Sequence, residues 1–239
     1  MAKVLEGYSG IHKDYDRFMN KAKVAIFAAI VSFLLIDWKG FFFFIMAICI
    51  AFAMHQISKA KNFKIGVQGE RTMKRICRKL PDAYSVVTNV ELHVDGRAIH
   101  YDAIIVGPAG IFVVEAKNMN GTIIGSGTSL ELVQHKIGRR GGRYSNRVRN
   151  PIRQLDGQIF QLSNLLKQHQ LGVWIKGIVF FTNKEAEVKI TNANVPVFST
   201  SQKGAKLLKK MLLEIEANQQ HVSQQAQDKA IAVLTGQTP

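Results

Sequence analysis

Apolar positions along the chain fall into successive patterns, and each predicts a different kind of element. Residues 24–36 carry no charge, Asp37-Trp38-Lys39-Gly40 interrupts, and residues 41–54 are again uncharged. A single helix through both runs would be too long for a bilayer and would set Asp37 and Lys39 at its centre, where charge is costly. The pattern therefore predicts a transmembrane helical hairpin over residues 24–57, with helices at about 24–36 and 41–57 and the charged tetrapeptide as its exposed turn. Each apolar run is shorter than the roughly 20 residues of a full span, so flanking residues supply the rest or the hairpin enters only part-way. Phe41-Phe42-Phe43-Phe44 lies on a surface that is apolar all round and has no polar face to show water.

Beyond residues 58–64, a short basic linker, Met73, Ile76, Cys77 and Leu80 recur at helical spacing and predict a helix over 66–80, stopped by Pro81-Asp82. The period then shortens. Residues 84–92, 102–106 and 111–114 read as buried strands, with Gly107-Pro108-Ala109-Gly110 as the turn between the last two. Residues 122–124 and 130–133 are shorter strand candidates. Asn150-Pro151 starts a helix, with Asn as N-cap and Pro at the first helical position. Its buried stripe is Ile152, Leu155, Ile159, Leu162 and Leu166, while Gln154, Gln158 and Gln161 share another face. Strands at 173–181 and 195–198 follow, then amphipathic helices at about 202–216 and 219–234. Helix, three-strand meander, helix and strand make an α/β sandwich around one mixed sheet flanked by helices.

The third meander strand runs into Glu115-Ala116-Lys117. Side chains alternate along a strand, so Glu115 and Lys117 share one face and Ala116 takes the other. If residues 107–110 form the hairpin loop, Val106 pairs with Ile111 and Asp102 falls opposite Glu115. Opposed residues hold their Cβ atoms roughly 4.5–5.5 Å apart. Two carboxylates so placed repel each other at a buried sheet, and a divalent cation resolves the conflict. Mg²⁺ is usually held by one or two carboxylates plus phosphate oxygens, so the arrangement points to a metal site for phosphodiester chemistry. Glu70, in the first turn of its predicted helix, is either favoured there by the helix dipole or aimed at a site; its position leaves both open.

Charge adds a partner class. Lys and Arg number 32 against 17 Asp and Glu, a formal net charge of +15 that favours nucleic acid or an acidic membrane surface. Residues 135–149 read as a glycine-arginine loop without an acidic residue, and Lys136, Arg139, Arg140, Arg143, Arg147 and Arg149 suit phosphate contacts. Lys13, Arg17, Lys21 and Lys23 precede the hairpin, and Lys59, Lys61 and Lys64 follow it, so both ends are expected in the cytoplasm. Cys49 and Cys77 have no metal-like spacing, which predicts reduced thiols, no zinc site and a cytosolic catalytic domain.

Taken together, Gly66-Val67-Gln68-Gly69-Glu70, the stretch from Ile99-His100-Tyr101-Asp102 to Glu115-Ala116-Lys117-Asn118, Gly121 and Asn150-Pro151-Ile152-Arg153-Gln154 resemble the nuclease-related domain (NERD) family, within the PD-(D/E)xK nuclease-like group. The resemblance spans roughly residues 64–181 and implies an αβββαβ restriction-endonuclease-like core with Mg²⁺-dependent cleavage of DNA, Mn²⁺ being an alternative ion. It implies that Glu70, Asp102 and Glu115 are the acidic site residues and metal ligands, Lys117 the active-site lysine and Gln154 the glutamine that completes the site. Where this family's strand commonly ends in Glu-(Thr/Val)-Lys, this chain has Ala116, which points away from the site. The expected organisation is a basic cytoplasmic segment (1–23), the hairpin (24–57), the linker (58–64), a NERD domain (65–200) and C-terminal helices (201–239). The expected protein is a multi-pass nuclease of the cell (inner) membrane, anchored in the lipid bilayer with its domain in the cytoplasm. A non-catalytic membrane tether for nucleic acid or protein, and an RNA nuclease, are the alternatives. Nothing in the sequence fixes the oligomeric state.

Overall fold

The predicted meander forms the middle of a six-stranded mixed sheet, because its residues are apolar on both faces and both faces are covered. In the computed structural model, residues 1–7, 10–35, 41–138, 141–218 and 221–236 are described, the side chains of Ile11 and Asn62 excepted. The sheet comprises β1 (Lys3–Glu6), β2 (Ser85–Val94), β3 (Arg97–Gly107), β4 (Gly110–Lys117), β8 (Ile175–Phe181) and β10 (Val197–Ser199), in that spatial order. β2, β3 and β4 are antiparallel, whereas β4–β8, β8–β10 and β1–β2 are parallel. β1 lies where a basic cytoplasmic segment was expected; its apolar Val4 and Leu5 pair with Val86 and Val87 at the edge of the sheet.

Alternation along the strands separates two cores. Ile111, Val113, Val179 and Phe181 pack with Ile152, Leu155, Leu162 and Leu166 of α3 (Pro151–Gln168) and with Ala230 and Leu234 of α5 (Gln224–Thr235). Phe112, Val114, Ile178 and Phe180 face the other way, onto Met73, Ile76 and Cys77 of α2 (Phe41–Cys77), Leu80, and Leu208 and Leu212 of α4 (Gly204–Asn218). Helix, three strands, helix and strand thus appear in the predicted order on the predicted layers.

A second sheet departs from the expectation of one. β5 (Gly121–Ser126), β6 (Glu131–Ile137), β7 (Arg143–Arg149) and β9 (Ala186–Thr191) pair in the order β7-β6-β5-β9. Its Ile123 and Leu132 join the α3-side core, which is what gives these short strands a face to bury. The expected glycine-arginine loop is therefore mostly a β-hairpin, with Ile137 opposite Arg143 and Glu131 opposite Arg149. Arg139 and Arg140 lie outside the described residues. The β3–β4 connection is also tighter than expected: Gly107 pairs with Gly110, leaving Pro108-Ala109 as a two-residue turn.

Residues Met1–Tyr8 with Gly69–Pro239 form one compact unit, and Ser9–Gln68 another. In the latter, α1 (Gly10–Leu34) and the first part of α2 bury Ala22, Ala25, Ala29, Ala53 and Ala60 while exposing Val24, Phe27, Leu34, Phe44, Ile48 and Met54. Phe18 of α1 stacks on Phe63 of α2 with ring centroids 5.5 Å apart. Among the described residues, one helix, α2, is long and apolar enough to cross a membrane. Residues 58–64, expected as a linker, are helical, because they contain neither glycine nor proline to stop propagation from either side. The expected turn at 37–40 lies outside the described residues.

Candidate active site

Asn89, Asp102 and Glu115 stand at one level across β2, β3 and β4, and the regular sheet is interrupted there. The β2–β3 ladder pairs Thr88 with Ala103 and Val90 with Tyr101, omitting Asn89 and Asp102 between them. Asn89 has φ 51°, a left-handed conformation that asparagine tolerates better than most residues. Val87 and Val90, three residues apart, consequently face the same core, as do Tyr101 and Ile104. The β3–β4 ladder keeps the predicted register, Val106 opposite Ile111, but ends at Ala103 opposite Val114. One step further, the Asp102 carboxylate replaces the ladder: its Oδ2 accepts a hydrogen bond from the Ala116 N–H at 2.8 Å.

Glu115 is only 2 % exposed, so its charge must be met from within. Lys117 Nζ donates to Glu115 Oε1, and Gln158 Nε2 donates to Glu115 Oε2 at 3.0 Å. Lys117 also donates to Gln154 Oε1 at 3.2 Å. Ala116 packs in the opposite core, as alternation requires. Four of the predicted site residues (Asp102, Glu115, Lys117 and Gln154) are therefore joined by hydrogen bonds or by direct succession along β4.

The two carboxylates are costly to keep charged. Burial pushes the Asp102 carboxyl above its ordinary value, Glu70 adds to that, and the Ala116 N–H, Lys117 and His100 oppose it. Glu115 is also raised, first by burial and then by the charge of Asp102, with Lys117 and Gln158 opposing. A single lysine does not neutralise two carboxylates at this depth. This donor set fits a small divalent cation, which needs only one or two protein carboxylates. Among the described residues no group of three or more His, Cys, Asp and Glu side chains forms a metal-holding cluster.

Glu70 reaches this region through Gly69. A Cβ at Gly69 would lie 2.9 Å from the Cβ of Asn118, so glycine lets α2 approach the end of β4. Glu70 Oε2 then accepts from Asn89 Nδ2 at 3.2 Å. Gln154 is set by the start of α3: Asn150 Oδ1 accepts from the Ile152 N–H at 3.1 Å, while its Nδ2 donates to the carbonyls of Ser126, Gly127 and Ser129. One side chain thus caps the helix and ties it to the second sheet.

Three contributors were not foreseen. Gln158 bridges Glu115 and the His100 carbonyl, donating to each at 3.0 Å, and both partners being acceptors fixes its amide orientation. Its spacing of one turn from Gln154 was the available signal. His100 Nε2 lies 3.6 Å from Asp102 Oδ1. Asn89 gave no signal, because a left-handed residue inside a strand leaves no mark on hydropathy. The basic residues form a separate group on the second sheet. Arg143, Arg147 and Arg149 share an exposed face of β7, Arg147 lies 3.5 Å from Glu131, and Lys136 occupies the opposite face.

Residues 65–182 match the family described as Nuclease-related domain (NERD). The chain carries a NERD domain, within the general context of the PD-(D/E)xK superfamily. It is also 41 % identical over 63 residues to an uncharacterized protein of Bacillus anthracis, a match covering 26 % of this chain and 30 % of that protein. No solved structure matches.

Proposed function

We propose that this protein is a membrane-anchored, Mg²⁺-dependent nuclease that hydrolyses phosphodiester bonds of DNA. The observation that carries the reading is the opposed pair of buried Glu115 and partly buried Asp102, both held toward their protonated forms with Lys117 beside them. A merely structural role gives no reason to oppose two carboxylates in an apolar sheet. Nuclease-like domains of this family are usually metal-dependent. Asp102 and Glu115 would hold the ion, with Glu70 contributing from α2. When bound, Mg²⁺ acidifies the attacking water and stabilises charge on the departing oxygen. Lys117 offsets phosphate charge and orients that water; Gln154 holds the lysine ammonium, and Gln158 fixes the Glu115 carboxylate. Burial of the site strengthens each of these interactions.

The exposed apolar residues of α1 and α2 support insertion of the N-terminal hairpin in the cell membrane, with the basic flanks and the NERD domain on the cytoplasmic side. Arg143, Arg147 and Arg149 would contact the nucleic-acid backbone. The test is full-length protein in detergent, incubated with plasmid, linear and single-stranded DNA and with RNA, in Mg²⁺, Mn²⁺ or chelator. DNA cleavage that requires the ion and disappears in Asp102→Asn is expected. Binding without cleavage in any ion would replace the nuclease by a tether, and cleavage of RNA alone would reassign the substrate. Extraction of the chain from membranes by high salt would overturn the anchor, because apolar burial is insensitive to screening.

A further inference from the structure

On the α2–α4 side of the main sheet, where β4 and β8 end, a cavity of about 340 Å³ is lined by Arg75, Lys79, Lys184, Lys203 and Lys206 with no acidic residue. These cations come from the end of α2, the β8–β9 turn and the start of α4, so the fold rather than a sequence run assembles them. None of the five makes an ion pair among the described residues. Hydroxyl groups of Thr72, Thr182 and Thr200 complete the wall, and Thr200 Oγ1 is buried without a hydrogen-bond partner.

The placement of two lysines is the sharpest clue. Lys203 and Lys206 flank the first residue of α4, and no acidic residue occupies that first turn. A helix N-terminus carries partial positive charge, so cations there are unfavourable and an anion is favourable. Arg75 and Lys79 at the end of α2 have the ordinary explanation that cations suit a helix C-terminus, and Lys203 closes the short 3₁₀ turn Thr200–Gln202; Lys206, inside the first turn of α4, has no such explanation. The backbone is held tightly at this point. Lys203 has φ 59°, and a Cβ at Gly204 would come within 2.6 Å of the Ser199 carbonyl oxygen.

The cavity lies past the end of β4, on the face of the sheet opposite the Glu115 and Lys117 side chains. Thr182, which lines it, donates its N–H to the Lys117 carbonyl at 3.0 Å. Lys184, Thr200, Lys203 and Lys206 lie beyond the stretch that matches the NERD family, so the family match does not account for the cavity.

We infer that this cavity binds a phosphate group of a nucleic-acid strand held by the protein, an inference that rests on the nuclease reading. Phosphate supplies acceptor oxygens for the lysines and for the start of α4. The site is distinct from the β7 arginines, which stand on the second sheet.

Two variants of the full-length chain in detergent test it: Lys79→Ala/Lys203→Ala/Lys206→Ala, and Lys203→Glu/Lys206→Glu. The second places acids at a helix start, where they favour the fold, so its loss of phosphate binding cannot be ascribed to unfolding. In chelator, inorganic phosphate should raise the thermal midpoint of wild type beyond chloride of equal ionic strength, and should not do so for either variant. Oligonucleotide affinity, read by fluorescence anisotropy, should fall in both variants. The salt slope of the triple variant should be flatter by roughly 0.7–0.9, the contribution of the one phosphate no longer neutralised. A preference for 5′-phosphorylated over 5′-hydroxyl strands in wild type alone would place a terminal phosphate there; equal affinity for both strands would place an internal one. Phosphate stabilisation with unchanged oligonucleotide binding would assign the cavity to a free phosphate compound and overturn the inference. So would a wild type indifferent to phosphate. Stabilisation by Mg²⁺ should be equal in all three proteins, and its absence from wild type would count against the nuclease reading instead.

Discussion

The end of β4 and the length of β7 place charge in opposite physical settings. Glu115 is 2 % exposed and meets Lys117, Gln158 and the field of Asp102. The Arg147 side chain is 81 % exposed, and its pairing with Glu131 at 3.5 Å is of the kind that contributes little to stability. A buried charge must have its partners built in, so its neighbours report what it is for. An exposed charge is solvated whatever its purpose, so only a ligand can reveal its role. The two regions should therefore respond differently to the same kind of change.

The largest effects belong to the buried pair. Asp102→Asn and Lys117→Ala should each lower cleavage by at least about 10²–10³-fold, the scale of losing one preorganised electrostatic group. They should differ toward the ion: Mg²⁺ at about 100 times its dissociation constant would stabilise wild type by roughly 2.7 kcal/mol, and Lys117→Ala should retain this while Asp102→Asn loses it. Asp102→Asn should also raise metal-free stability by roughly 0.2–1 kcal/mol, since opposed like charges are destabilising and an amide oxygen can still accept from the Ala116 N–H. Glu115→Gln should not show that gain. Its two oxygens accept from Lys117 and Gln158, and an amide would set a donor against one of them. Equal metal-free stability of the two variants in thermal melts would show that the hydrogen bonds do not separate them.

Gln158→Leu comes next, at about 1–3 kcal/mol of destabilisation, because it strands the Glu115 oxygen as a buried acceptor and removes the tie to the His100 carbonyl. Its Mg²⁺ affinity should weaken as well, measured by titration of the thermal midpoint. A destabilised variant with unchanged affinity would make Gln158 a packing residue.

The pH dependence of stability follows with a definite sign. Both carboxyls hold their protons in the folded chain above the ordinary values of 3.8 and 4.5, whereas the unfolded chain releases them there. The folded state thus binds more protons in that window, and metal-free stability contributed by the pair should fall as pH rises from about 4 toward neutral. Mg²⁺ binding should tighten over the same range, because the ion displaces those protons. Thermal midpoints in chelator and in Mg²⁺, for wild type and Asp102→Asn, check it: a wild-type profile parallel to that of the variant would mean the pair is not coupled.

The same contrast explains what could be read in advance. Strand alternation and the Val106–Ile111 register placed Glu115, Lys117 and Ala116 on their faces, because a buried strand has one pattern that fits. Asn150-Pro151 fixed the start of α3 for an equally local reason, a cap and a locked φ. Tertiary decisions were not legible. The left-handed turn of Asn89 shifts the phase of two strands yet is invisible in hydropathy. β7 looked like a loop because six of its seven residues face solvent and none alternates. The basic cavity joins Arg75 of α2 to Lys206 of α4, a separation along the chain that no local pattern spans.

The smallest effect on the fold belongs to β7. Arg143, Arg147 and Arg149 share one face at two-residue steps from Ser145 outward, and a strand advances roughly 6.8 Å per two residues. Such a row can follow a phosphate backbone without reading its bases, which gives affinity but no sequence preference. Replacing all three with Ala should leave the thermal midpoint almost unchanged, since surface changes of this kind usually stay within about 0.5 kcal/mol each. Oligonucleotide binding should weaken alike for all sequences, with the salt slope flatter by roughly 0.7–0.9 for each arginine that had neutralised a phosphate. Glu131→Gln should strengthen binding slightly by releasing Arg147, an effect that a row of merely solvated arginines would not show. Unchanged salt slopes in the triple variant, together with no effect of Glu131→Gln, would leave the buried pair as the one region of the comparison with a ligand.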